Sequence, residues 1–317
     1  MTAGPHDGGA AVAAAATPTA QADAALYRRG VTCVLGSALV LSFNGLIFRL
    51  MESADAWQVL FWRSGALFVA MTCFFALRHR RRAVVEFRRA GRSALLAGPV
   101  LGLASVCFIQ ALDHTTVANT LFTASSVPLF AAVFAWAVLG ERVRPATWVA
   151  IFVAMSGIVI MVIDGIGTGT VAGNLLALAT AVLFASFVVV LRARRNVDML
   201  AAVCVAALVS AAIGGVMADG FAVTARDLAM LFAWGGLLSC LGHALFTFAS
   251  RHVPAAELTL LAMIEMAIGP LWVWLAVDET PTMLSLGGGL IVLCAIAGWT
   301  LSQRRAGQAQ SGAKAPL

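Results

Sequence analysis

The chain has 317 residues, of which 61% are apolar and only 11% are charged, and its net charge is +6. An ordinary water-soluble domain carries about 25% charged residues, so this composition excludes that class. The positive balance requires no nucleic-acid partner, because basic residues beside a bilayer contact anionic lipid. We therefore predict a protein embedded in a membrane.

Ten apolar stretches follow one another along the chain, each close to the roughly 20 residues that a helix needs to cross a bilayer. They cover residues 30–50, 56–77, 93–112, 117–139, 146–163, 171–191, 199–218, 227–250, 255–277 and 282–302. Long continuous runs exclude an outer-membrane barrel, whose strands alternate over about ten residues. The predicted fold is all-α and polytopic, with ten transmembrane helices.

The two ends of the chain differ from these stretches. Residues 1–27 are rich in Ala, Gly and Thr and lack the basic start of a signal peptide, and residues 304–317 are polar. We predict a disordered cytoplasmic tail at each end. With the N-terminus inside, all of the 21 basic residues except Arg49, Arg63 and Arg226 fall on the cytoplasmic side. The arginine-rich segment 78–92 is expected to contact anionic lipid.

The two halves of the chain share an order of features. With an offset of 138 residues, Trp136 aligns with Trp274 and Glu141 with Glu279. Each half also has an acidic break followed by a proline. Because each half contains five predicted helices, an odd number, the two copies must point in opposite directions across the membrane. The halves are residues 28–164 and 165–303.

Residues 117–162 contain Pro128 in mid-span, "LGE" at 139–141, and Gly157. This stretch resembles the repeat of the EamA family in the drug/metabolite transporter superfamily. The second copy is looser, since Met266 stands at the place of Pro128, "DE" at 278–279 replaces "GE", and Ala295 replaces the glycine. The resemblance implies two inverted five-helix repeats around a central cavity, and a carrier of amino acids, related metabolites or drugs.

Glu265 is an acid in the middle of the ninth apolar stretch. It lies ten residues beyond Ala255, about 15 Å by helix rise, in a hydrocarbon core roughly 30 Å thick. An ionised acid facing lipid at that depth costs at least about 2.5–3.5 kcal/mol, so we expect it to face protein or water. Three interpretations remain open: a structural acid, a group that binds a cationic or amine-bearing solute, and a proton-coupling group.

Arg63 and His243 are the other intramembrane groups of this kind. The Arg63 guanidinium could bind the carboxylate of an amino-acid-like solute with two parallel hydrogen bonds, or it could extend toward the membrane surface or bind a helix carbonyl. His243 is predicted at a depth within about 5 Å of that of Glu265, so the two could exchange a proton or share a substrate amine. A structural histidine is the alternative.

Weaker polar candidates for substrate binding are Asn44, Gln110, Ser125 and Ser126. The two serines could instead bond their own helix carbonyls. Pro128 and the pair Gly269 and Pro270 are predicted to interrupt helices and line the pathway, because freed backbone carbonyls need protein or water around them. The tryptophans at 57, 148, 272, 274 and 299 fall mainly near span ends, as in an interfacial belt.

The leading hypothesis is a secondary transporter of the bacterial cytoplasmic membrane, working by alternating access as an exporter or facilitator of a small organic solute. Its partners would be that solute and membrane lipid, with proton coupling left open and no nucleic acid. No metal-ligand cluster or phosphate-binding loop is present in the sequence, so no cofactor or metal is predicted. The alternatives are an intramembrane enzyme, which would need paired catalytic groups, and a scaffold subunit that transports nothing.

Overall fold

The computed structural model describes residues 18–115, 120, 123–163, 170–277 and 283–312, and within these ranges it contains helices and turns but no strand. The helices are α1 (Pro18–Leu41), α2 (Asn44–Arg49), α3 (Ala56–His79), α4 (Ala83–His114), α5 (Val127–Phe134), α6 (Pro145–Val162), α7 (Val171–Ala193), α8 (Leu200–Met217), α9 (Ala225–Phe232), α10 (Cys240–Ser250), α11 (Ala255–Ala262), α12 (Ile264–Val277) and α13 (Met283–Gly312). A 3₁₀ turn at Arg80–Arg82 precedes α4, and π-helical segments extend α5 over Ala135–Leu139 and join α9 to α10 over Ala233–Ser239.

Six helical regions of the described chain are long and apolar enough to cross a membrane. One of them, Ala56–His114, contains both α3 and α4, and three shorter apolar helices accompany the six. The protein is therefore an all-helical, multi-pass membrane protein. The finer prediction, ten crossings in two inverted repeats, goes beyond this count.

The surface of the bundle carries large apolar side chains. Leu77 is 76% exposed, Val171 77% and Val216 83%, whereas the interior is rich in alanine and contains buried Ser and Thr. Such a surface is unfavourable in water and suits acyl chains, which are as apolar as leucine. The distribution of polarity thus agrees with a membrane environment.

Local sequence signals begin and end several helices. Asp55 caps α3 by accepting from Trp57 N at 2.8 Å and Gln58 N at 2.9 Å, and the Gln58 side chain accepts from Asp55 N in return. Thr224 caps α9 through Asp227 N. Gly140, with φ of +66°, ends the π-helical extension of α5 in the left-handed conformation that glycine adopts without a steric penalty.

Helices from the two halves pack on one another. α4 contacts both α7 and α8, α3 contacts α8, α1 contacts α10, and α6 contacts α13. Gly98 allows the α4 and α8 backbones to approach, since a Cβ there would lie 2.5 Å from the Val205 side chain. The functional groups described below are therefore placed by contacts between sequence-distant helices.

The ends of the described chain are more helical than the sequence predicts. α1 begins at Pro18, inside the predicted tail 1–27, and α13 continues to Gly312, inside the tail 304–317. Residues 1–17 and 313–317 lie outside the described residues, as do Asp278, Glu279 and Pro281 of the second acidic break.

Candidate functional site

Two helix breaks bring Asn44 and Glu265 together. α1 ends at Leu41, and a turn at Ser42 and Phe43 leads into α2, whose first residue is Asn44. The second break is at Met263, between α11 and α12, so that Glu265 lies in the first turn of α12. Asn44 Nδ2 donates to Glu265 Oε1 at 2.9 Å. The predicted mid-membrane acid therefore contacts another predicted polar candidate.

Trp234 continues this contact into a relay. It lies 1% exposed in the π-helical segment Ala233–Ser239, and its Nε1 donates to Asn44 Oδ1 at 2.6 Å. An indole N–H can only donate, so the Asn44 oxygen must face Trp234 and its NH₂ group must face Glu265. The indole donor thus fixes the orientation of the Asn44 amide, whose NH₂ group donates to Glu265. Local π-helix often occurs at functional positions.

Arg63 lies at the other end of the relay. Its Cζ stands 4.9 Å from the centre of the Trp234 ring, in a cation–π contact. Its Nη2 donates to Ser105 Oγ of α4 at 2.7 Å, whereas its buried Nε has no partner among the described residues. The backbone of α3 comes this close because residue 235 is glycine: a Cβ there would lie 2.0 Å from the Arg63 carbonyl oxygen.

We name the four connected side chains Glu265, Asn44, Trp234 and Arg63 the polar relay. Its members come from α12, α2, the Ala233–Ser239 segment and α3. A stacked pair lies beside it, since the Phe43 and Trp272 rings are 4.4 Å apart and Trp272 Nε1 donates to Ser42 Oγ at 2.7 Å. The arrangement provides one acid, one cationic group and aromatic surface, which can bind a small solute carrying charge.

Of the other predicted candidates, two bond carbonyls of their own helical segments and two are buried. His243 Nδ1 is 2.7 Å from the Ser239 carbonyl of its own helix, as in the structural alternative, and no hydrogen bond to Glu265 occurs among the described residues. Gln110 is buried, and its Nε2 lacks a partner among those residues. Ser126 Oγ donates to the Thr123 carbonyl at 2.5 Å, and Ser125 is fully buried.

The predicted helix interruptions are placed differently in the two halves. Pro128 is the second residue of α5, directly after the turn at Ser125 and Ser126, so an interruption does occur beside it. Gly269 and Pro270 instead lie inside α12, which runs on to Val277, so the expected effect of Pro270 there is one backbone carbonyl, a turn earlier, without its helical donor. The break occurs at Met263. Whether any of these positions lines a pathway stays a prediction.

Sequence reasoning missed Trp234, Ser105 and the inward role of Trp272. A tryptophan several residues inside an apolar stretch, like Trp234, was the available signal, because an interfacial belt does not explain that depth. Trp272 was assigned to such a belt, and Trp299 as well, although Trp299 is 4% exposed and donates to Thr147 Oγ1 at 3.1 Å. Ser105 gave no signal, since serine is common in helix contacts.

An ionic cluster ties loops together at the end of the bundle that carries the basic segments. Asp198, before α8, accepts from Arg251 Nη2 at 3.1 Å and is 2.9 Å from His79 Nε2. Glu141 of the "LGE" motif accepts from Arg192 Nε at 2.7 Å, and Arg192 Nη1 donates to the Arg251 carbonyl. These contacts connect the ends of α3, α7 and α10 with the segment after α5. They fasten the helix ends and loops on that side of the bundle to one another.

The opposite end is tied by a second set of contacts. Asp227, fully buried in the first turn of α9, accepts from Ser53 Oγ at 2.6 Å and Ser53 N at 2.8 Å. Arg226 forms an ion pair with Glu52 beside it. The loop between α2 and α3 is thereby fastened to the start of α9.

The family model of EamA-like transporters matches residues 28–163. Residues 28–163 therefore carry a domain of the EamA-like transporter family. The match covers the first of the two predicted repeats.

Known proteins that are similar along most of the chain are named as transporters. The pseudopaline exporter CntI of Pseudomonas aeruginosa is 28% identical over 280 residues, which are 85% of this chain and 95% of that one. A riboflavin transporter of Rhizobium johnstonii is 27% identical over 284 residues, 80% and 88% of the two chains. One crystal structure shares the fold with a TM-score of 0.73, at 18% identity, over 87% of this chain and 98% of its own. This chain is a membrane transporter.

Proposed function

We propose that the protein is a secondary carrier that moves a small organic solute across the bacterial cytoplasmic membrane, as an exporter or facilitator, and that the solute binds at the polar relay. The observation that carries the proposal is that a partly buried arginine and a mid-span acid lie at opposite ends of one series of contacts, made of two hydrogen bonds and one cation–π contact. Ionisable groups inside a membrane span are costly and mark solute or proton pathways. The relatives named as exporter and transporter support the same function.

The proposed architecture is ten crossings in two inverted repeats, with both termini cytoplasmic. The order of helices along the described chain supports it, and so does the accumulation of basic residues at 78–92 and 192–195. Single cysteines at positions 88 and 310, in a chain without its own six cysteines, should react with an impermeant thiol reagent from the same side of sealed vesicles. Labelling from opposite sides would overturn the odd count of helices per half.

Alternating access is the mechanism we infer. Helix breaks at Ser42 and Phe43 and at Met263 flank the relay, and breaks of this kind allow the halves of a helix to tilt separately. The ionic cluster around Asp198 would close one entrance in one state and separate in the other. A solute that bridges both sides of the relay would bias the exchange between the states, because only differential binding shifts such an equilibrium.

Counterflow in proteoliposomes tests the carrier function. Purified protein in liposomes preloaded with an unlabelled solute should accumulate the labelled form of that solute, with riboflavin and a pool of labelled amino acids as first probes. A carrier exchanges solute unaided, whereas an enzyme would release a changed product. Vesicles that exchange none of a broad metabolite extract, assayed by mass spectrometry, would contradict the proposal.

Glu265→Gln should reduce exchange at least ten-fold while protein abundance and melting temperature stay close to those of the original chain. The glutamine keeps the volume and accepts from Asn44, but it cannot hold a charge or a proton. Glu86→Gln, on the arginine-rich segment, is the matched control. Unchanged exchange at several pH values in Glu265→Gln would return this acid to a structural role. Loss of a pH-gradient effect alone would assign it to proton coupling.

A further inference from the structure

Arg63 carries a positive charge that no acid of the described chain neutralises. Its guanidinium contacts the Ser105 hydroxyl and the face of Trp234, both neutral, and its buried Nε has no acceptor within the described residues. The ion pairs found in that part of the chain involve other arginines. An arginine does not lose its proton in a protein, so the charge remains. A partly buried cation with an unpaired buried donor is stabilised by an anion, and the described chain supplies none.

Glu265 has the complementary arrangement. It accepts one hydrogen bond, from Asn44, and no basic side chain of the described residues pairs with it. Its second carboxylate oxygen has no hydrogen bond in the same part of the chain. A positively charged group of a ligand would complete its coordination.

The relay keeps these two charges apart. The Trp234 indole and the Asn44 amide both lie between Arg63 and Glu265, and the contacts measure 4.9 Å, 2.6 Å and 2.9 Å in order. Trp234 is buried, its N–H is bonded to Asn44 and its ring face contacts the arginine, so two side chains separate the charged groups along the relay. An α-amino acid carries both charged groups on one carbon, and we therefore expect it to be too short to reach both ends.

We propose that the solute is a zwitterion whose carboxylate and protonated amine are separated by several bonds, with the carboxylate bound by Arg63 and the amine by Glu265. This inference rests on the proposed carrier function and names the substrate class for the same site. The apolar part of the solute would lie along Trp234 and Asn44, which together set the spacing of the two charges.

A series of ω-amino acids measures that spacing. Glycine, 4-aminobutyrate, 6-aminohexanoate and 8-aminooctanoate carry the same two charged groups with increasing separation. Each is added to detergent-solubilised protein at several concentrations, and the rise in melting temperature gives a dissociation constant, since a ligand of the folded state stabilises it. We expect the tightest binding at one of the longer members and at least ten-fold weaker binding of glycine.

Singly charged compounds of the same length are the matched probes. Hexanoate lacks the amine of 6-aminohexanoate, and hexylamine lacks its carboxylate, so each should bind at least ten-fold more weakly than the zwitterion. Arg63→Gln should bind 6-aminohexanoate no more tightly than hexylamine, because the partner of the carboxylate is lost. Glu265→Gln should bind 6-aminohexanoate no more tightly than hexanoate, because the partner of the amine is lost. Arg88→Gln and Glu86→Gln, on the arginine-rich segment, should keep both preferences. If Arg63→Gln does not fold, Arg63→Lys keeps the charge and should retain part of its preference.

The outcomes separate this inference from the carrier function. Binding that does not depend on the length of the ω-amino acid overturns the inference, and so does equal binding of hexanoate, hexylamine and 6-aminohexanoate. Both results are obtained with the unsubstituted protein, so they do not depend on the folding of any variant. Unaltered preferences in both Arg63→Gln and Glu265→Gln also overturn it. If proteoliposomes exchange riboflavin, which carries neither group, and no zwitterion competes, the chain is a carrier and the inference fails. If they exchange no solute, the carrier function fails.

Discussion

Two neighbouring glycines of the π-helical segment should respond in opposite ways to the same substitution. A Cβ at Gly235 would lie 2.0 Å from the Arg63 carbonyl oxygen, whereas a Cβ at Gly236 would have its nearest neighbour, the Ala66 carbonyl oxygen, at 3.8 Å. In Gly235→Ala the segment and α3 must therefore separate by about 1.4 Å to regain ordinary contact, because the obstructing atom is backbone. In Gly236→Ala nothing has to move.

The sizes of the two effects follow from the same geometry. Overpacking costs about 1–3 kcal/mol, and alanine regains about 1 kcal/mol over glycine within a helix, so Gly235→Ala should lose up to about 2 kcal/mol. At about 2–4 °C per kcal/mol its melting temperature should fall by up to about 4–8 °C, whereas Gly236→Ala should match or slightly exceed the original chain. Separating α3 from the segment also shifts Arg63 off Trp234, so exchange should fall at least about ten-fold in Gly235→Ala alone.

Thermal denaturation in detergent, followed with a thiol-reactive dye, and counterflow on the same preparations test both effects. The six free cysteines give the dye its signal on unfolding. Equal behaviour of the two variants would refute the reasoning, because it rests on the difference between a 2.0 Å and a 3.8 Å contact. If Gly236→Ala lost activity while Gly235→Ala stayed normal, Gly235 would not be the residue of this segment that packs against α3.

Two further predictions concern single polar groups. Trp234→Phe keeps an aromatic ring but leaves Asn44 Oδ1 without its donor, so stability should fall by about 1–3 kcal/mol and exchange should decrease. Trp274→Phe, at an exposed position, should change neither, and a Trp234→Phe variant of full activity would remove the relay from the site. Asp198→Asn weakens the contacts to His79 and Arg251, so stability should fall by about 1–3 kcal/mol. In a chain without its own cysteines, a cysteine in place of the buried Glu257, in the first turn of α11, should then react faster with a thiol reagent. An unchanged labelling rate would show that the ionic cluster closes no entrance.

Much of the fold was readable from the sequence because the bilayer imposes a simple rule. A span must satisfy its own backbone hydrogen bonds and expose apolar side chains, so the long apolar runs mark the helices. The exception at Gly269 and Pro270 is instructive. Both residues weaken a helix locally, yet α12 continues through them and the chain breaks at Met263, where no glycine or proline stands. Packing against neighbouring helices, including that of α2 on α12, outweighs the local preference there.

About half of the candidate site could be predicted from the sequence, for a related reason. Glu265, Arg63 and Asn44 stand out because polar groups are energetically costly within a membrane span. Such a residue can be recognised from the sequence alone. Their connection through Trp234 cannot be recognised in this way. Tryptophan is ordinary in an apolar segment, and its partner Asn44 lies 190 positions away along the chain. The expected pairing of His243 with Glu265 rested on depth alone, whereas His243 bonds the Ser239 carbonyl.

Composition and the order of apolar segments thus determined by themselves that this chain is helical and lies in a membrane, and the motifs around Pro128 and Glu141 indicated the EamA-like domain of its first half. Only the tertiary structure decided which polar groups meet. The helix break at Met263, the hydrogen bond of Trp234 to Asn44 and the close approach of Gly235 to Arg63 place them. The physical reason is that solvent preference is a property of each segment, whereas hydrogen bonds and close contacts depend on how several helices are placed around one another.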